Sequence, residues 1–123
     1  MIALMVALGA AVGAPARYLT DRAVQTRHRS SLPLGTFAVN VVASLVLGIV
    51  AGAAGHVSED VAALVGTGFC GALSTFSTFG YETIRLAQSG KNRGLTLAAA
   101  NVAISLVLGI VAAALGWTLG SAF

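Results

Sequence analysis

The charged side chains of this chain fall in three clusters, Arg17 to Arg29, Glu59 with Asp60, and Glu82 to Arg93, and the runs between them carry no charge. Those runs are long enough to cross the hydrocarbon core of a bilayer as helices, which takes about 20 apolar residues. In hydrocarbon every backbone polar group must find its partner within the chain, and a helix does this segment by segment. Only 9% of the 123 residues are charged, against about a quarter in a soluble domain, so a water-exposed globule has too little polar surface. The pattern specifies an all-α membrane protein of four transmembrane helices, multi-pass in the cell membrane, with no segment left over for a second domain. Residues 1–123 are read as one.

The spans are predicted at about Ile2–Tyr18, Leu34–Ala54, Val61–Leu86 and Leu95–Leu119. The basic residues follow the first apolar run instead of preceding it, the reverse of a cleaved signal, so it is read as a retained span. Ser58 stands as the N-cap of span three, with Glu59 and Asp60 where carboxylates complement the helix dipole. The net charge of +3 does not indicate nucleic acid: basic residues flanking apolar spans set topology and touch lipid headgroups. A single cysteine, Cys70, and two separate histidines, His28 and His56, provide neither a disulfide nor a metal cluster.

An internal repeat is visible. Asn40-Val41 and the eight residues Ser44 to Ala51 recur as Asn101-Val102 and Ser105 to Ala112, displaced by 61 positions. Spans two and four therefore form a parallel repeat, and any inverted counterpart must come from a second chain. Asn40, Ser44, Gly48 and Gly52 recur every four residues, as do Asn101, Ser105, Gly109 and Ala113, which places each set on one helix face. Small residues so spaced allow close helix packing. An asparagine inside hydrocarbon needs more: a partner on another helix, or a wet pathway.

The segment Gly71-Ala-Leu-Ser-Thr-Phe-Ser-Thr-Phe79 lies mid-span and contains Ser-Thr-Phe twice. Gly66, Gly68 and Gly71 weaken helix there. The hydroxyls are then available either to bond back to their own helix or to meet backbone groups freed by a local unwinding.

This segment, Asn40 within Gly35-Thr-Phe-Ala-Val-Asn40, and Gly13-Ala-Pro-Ala-Arg-Tyr18 together resemble the Fluc fluoride channels, the CrcB family. The resemblance extends over all four spans. It implies an antiparallel dimer, a third helix broken at its centre, and passive, fluoride-selective export from the cytoplasm. A structural sodium ion, not transported, is implied at the dimer centre on the backbone carbonyls of Gly71 and Ser74. Ala72 stands where the family has glycine. The implied fluoride path comprises Asn40, Phe76, Phe79, Thr78, Asn101 and Ser105, with Arg17 and Glu82 in the vestibules. Phe76 and Phe79 suit an anion because the edge of an aromatic ring is electropositive. For Glu82 an i,i+3 pair with Arg85 is an equal alternative.

All seven basic residues lie in or beside the first and third connections, and the second connection and the C-terminal end have none. Such a bias predicts both termini outside the cytoplasm, and a partner that is either an identical chain or an oppositely oriented paralogue. A small multidrug-resistance transporter would need a carboxylate in its first span, where this chain has none. A non-conducting structural subunit of a membrane complex would show no ion flux. The spans hold no paired carboxylates or nucleophile–base set, so no enzyme is expected.

Overall fold

The computed structural model describes residues 1–28, 32–90 and 93–123. Arg29 and Lys91, two members of the basic bias, lie outside the described residues. The elements in order are α1 (Ile2–Arg27), α2 (Leu34–Gly52), α3 (Glu59–Val61), a π-helical segment (Ala62–Cys70), α4 (Gly71–Leu73), α5 (Ser77–Ala87) and α6 (Gly94–Ser121). No strand occurs among the described residues. Four stretches, Ile2–Arg27, Leu34–Gly52, Glu59–Ala87 and Gly94–Ser121, are long and apolar enough to cross a membrane.

The first helix runs nine residues beyond the predicted end, Tyr18, to Arg27. Hydropathy falls at Thr20, but Asp21, Arg22, Ala23 and Gln25 are tolerant of helix, and Arg27 in the last turn complements the dipole. The other spans begin and end within two residues of the hydropathy reading. Ser58 caps α3 by accepting from the backbone N–H of Val61 at 3.3 Å. Gly90, beyond α5, takes a left-handed φ of 70°, a backbone region that glycine enters without strain.

Helices α2 and α6 run side by side in the same direction. A Cβ at Gly48 would meet the carbonyl of Ala113, at Gly52 that of Trp117, and at Gly116 that of Leu45. With no side chain at these positions the two backbones touch, which is how helices pack where lipid removes the hydrophobic drive between them. The pairing is displaced from the sequence repeat: Gly48 corresponds to Gly109 in the repeat, yet it packs against Ala113 and Trp117. Spans one and three meet in the same manner, with Gly9 against Leu64 and Gly68, and Gly13 against Phe69 and Ala72. A small core of Val39, Ala43, Cys70 and Leu73, supported by Ala16, Val46 and Phe69, joins the two layers. Asn40 sits at its margin.

Candidate functional site

The hydroxyl-rich segment lies between α4 and α5. Ser74, which follows α4, has an extended backbone (φ −74°, ψ 159°), and α5 starts at Ser77. Asn40 of α2 reaches this stretch and binds both sides of one residue. Its Oδ1 accepts from the N–H of Thr75 at 2.8 Å, and its Nδ2 donates to the carbonyl of Thr75 at 3.2 Å. The Thr75 hydroxyl in turn accepts from the N–H of Thr78 at 3.2 Å, one of the first-turn donors of α5 that have no partner within the helix.

These bonds redirect two donors. In an uninterrupted helix the N–H of Thr75 would bond to the carbonyl of Gly71, and that of Thr78 to the carbonyl of Ser74. Here the first goes to Asn40 and the second to the Thr75 hydroxyl. The carbonyls of Gly71 and Ser74 are thereby released from their usual partners. Gly71 is exposed, and a Cβ there would meet nothing within 4 Å.

Phe76 and Phe79 stand next to each other with ring centroids 5.9 Å apart and planes tilted by 48°. Phe76 is 84% exposed, a large aromatic projecting from the chain in the middle of a membrane span. Arg17, Tyr18 and Asp21 of α1 enclose, with Thr36, Val39, Thr75 and Thr78, a cavity of about 150 Å³. Its floor is buried: Val39, Thr36 and Thr75 are 1%, 2% and 9% exposed.

A second polar group lies beside it. Asn101 is fully buried, and its Nδ2 donates to Thr83 Oγ1 at 2.8 Å, which in turn donates to the carbonyl of Phe79 at 2.8 Å. Asn101 Oδ1 and the Ser105 hydroxyl are buried without a partner. Glu82 turns toward α2: its Oε1 accepts from Thr36 Oγ1 at 3.0 Å, and its Oε2 is buried without a partner. The chain thus gathers Asn40, Phe76, Thr78 and Phe79 about the segment between α4 and α5, with Arg17 on the cavity beside it, while Asn101 and Ser105 form a separate cluster joined to it through Thr83 and Phe79.

Three participants did not stand out in the sequence. Thr75 both caps α5 and anchors Asn40, Thr36 connects Glu82 to the cavity, and Thr83 serves Asn101. For Thr36 a signal existed, since it precedes Asn40 by one helical turn and so shares its face. Asp21 was visible only as one charge of a connection.

No group of three or more His, Cys, Asp or Glu that could hold a metal occurs among the described residues.

Comparison with known proteins places these features in context. Residues 4–117 match the family described as CrcB-like protein, Camphor Resistance (CrcB). A fluoride-specific ion channel, FluC 1, of Frankia casuarinae is 61% identical over 126 residues, covering 97% of this chain and 95% of that protein. FluC 1 of Streptomyces avermitilis is 52% identical, with 92% and 90% covered. FluC 2 of Rhodococcus jostii is 45% identical, with 98% and 100% covered. These relatives carry the name of an ion channel, not of an enzyme.

Proposed function

The chain belongs to the CrcB-like family, a family of multi-pass membrane channels and not of enzymes, and on that premise we propose that it conducts fluoride out of the cytoplasm by passive diffusion. One observation carries the reading: at mid-span, Asn40, Thr75, Thr78 and the Phe76–Phe79 pair cluster with Arg17 near a cavity of about 150 Å³. Fluoride holds its water tightly. A path that replaces this shell needs several hydrogen-bond donors, and donors without full charge do so without retaining the ion.

The work of each residue follows from its contacts. Arg17 draws an anion toward the cavity, and the hydroxyls of Thr75 and Thr78 receive it. Asn40 holds the Thr75 peptide in place and so fixes where those hydroxyls stand. The ring edges of Phe76 and Phe79 line a narrow apolar passage, too tight for larger halides. Asn101 and Ser105 extend the polar wall along α6, and Glu82, tied to Thr36, borders the mouth at the basic end.

The exposure of Phe76 and Gly71 favours a second chain. Free carbonyls facing hydrocarbon are costly, and an antiparallel partner, identical or paralogous, would cover them together with the projecting Phe76 ring. The carbonyls of Gly71 and Ser74 fit a sodium ion in such an interface. When bound, that ion supplies a fixed positive charge that satisfies oxygens left open where the third span is interrupted.

The test is fluoride efflux from liposomes containing this chain alone, read with a fluoride electrode against a chloride control. Selective efflux, lost in Phe76→Ile and Asn40→Asp, is the expected result. If the chain alone is silent, it is co-reconstituted with a paralogue of opposite charge bias. Silence in both assemblies overturns the channel reading in favour of a structural subunit.

A further inference from the structure

We propose that Asp21 sets how tightly the entrance cavity holds an anion, and thereby how readily the ion moves on; this rests on the fluoride-channel reading and deepens it. Asp21 follows Arg17 by one helical turn and lines the same cavity. Its carboxylate is held in place. Gln25 Nε2 donates to Oδ1 at 3.2 Å and to Oδ2 at 3.3 Å, and the side chain packs so closely on Gly35 that a Cβ there would overlap Oδ1.

Gly35 belongs to the first turn of α2, and α2 begins without a side-chain cap. Unsatisfied N–H groups at a helix start act as roughly half a positive charge. The cavity therefore sees the Arg17 guanidinium, the start of α2 and the hydroxyls of Thr75 and Thr78, all of which favour an anion. Against them stands Asp21, the one full negative charge among the residues that line the cavity. Arg22 is engaged with the Tyr18 hydroxyl at 2.9 Å, and Glu82 reaches this wall only through Thr36.

Without Asp21 the cavity would carry about one and a half positive charges in a partly buried setting, where Coulomb energies are several times those in water. A small anion of high charge density would bind there and stay. With Asp21 the balance falls to about half a charge, enough to attract and weak enough to release, as conduction requires. A role confined to steadying α2 predicts something else. Losing it would reduce flux at every fluoride concentration and leave the half-saturating concentration where it was.

Initial efflux rates are measured over graded internal fluoride, in whichever assembly conducts, for the parent chain and for Asp21→Asn and Asp21→Glu. Asp21→Asn lowers the half-saturating fluoride concentration by at least about threefold, and Asp21→Glu stays within about twofold of the parent. Should the Asn variant not fold, Asp21→Ser removes the same charge with a smaller side chain. An unchanged or raised half-saturating concentration in the neutral variant overturns the proposal. So does an equal shift in the Asp21→Glu variant, because the charge is then not the determinant. Failure of the parent itself to conduct overturns the channel reading instead.

Discussion

Asn40 and Thr75 share two part-buried hydrogen bonds, and lipid offers neither partner a replacement if the other is lost. Asn40→Ala strands a buried N–H and a buried carbonyl, at a cost of about 1–3 kcal/mol for each group left unpaired. Thr75→Val keeps the Asn40 bonds and removes only the hydroxyl that caps α5, a loss of about 1 kcal/mol. Thermal unfolding in detergent should therefore rank the variants with Asn40→Ala least stable, Thr75→Val between, and Thr75→Ser equal to the parent. A Thr75→Val protein as unstable as Asn40→Ala would contradict this division of labour. The sequence made Asn40 conspicuous because an amide in an apolar span demands an explanation. It left Thr75 unremarked, since a threonine among three other hydroxyl residues carries no mark of which backbone groups it will serve. The same holds for Thr83, whose pairing with Asn101 depends on how α5 and α6 cross and not on any local spacing.

At the scale of elements, hydropathy located the spans because bilayer thickness imposes a length that composition records directly. It placed the end of α1 too early, since helix and membrane are different conditions and Thr20–Arg27 satisfies only the first. The π-helical segment Ala62–Cys70 was not legible either: a change of hydrogen-bond register leaves the apolar composition unaltered. The four-residue spacing of small residues did announce close packing, but not which residue faces which. This seam yields a prediction. Gly116 lies against the backbone of Leu45, Gly48 and Ile49, so there is no flexible side chain to yield. Gly116→Val should destabilise by about 3 kcal/mol or more, the upper end of overpacking, and give aggregated material in size-exclusion chromatography. Gly109→Ala, whose new methyl would meet only the Ser44 hydroxyl at 3.8 Å, should elute as the parent does.

The whole molecule has one basic end. The C-terminal ends of α1 and α5 and the N-terminal ends of α2 and α6 surround a cleft of about 840 Å³ lined by Gln25, His28, Leu34, Arg85 and Leu97, among others. Arg22, Arg27, Arg85 and Arg93 lie in the elements that converge there, whereas the opposite end carries Glu59 and Asp60 and no lysine or arginine. Translocating a cluster of arginines is disfavoured, which predicts that this end remains in the cytoplasm with both termini outside. A chain that inserts equally in both orientations would need nearly balanced ends, and this one is far from balanced. Were the chain to pair antiparallel, the second member would need the opposite bias, a role that suits a paralogue. Reporter tags fused to either terminus should be reached by an impermeant reagent in intact cells at close to full yield. Removing the bias tests the cause. Neutralising Arg22, Arg27 and Arg85 with glutamine, three surface charges outside the proposed path, should let a substantial fraction of chains insert the other way. Equal labelling from both sides in the unaltered protein would instead mean that the charges do not direct insertion, and that an identical chain suffices as partner.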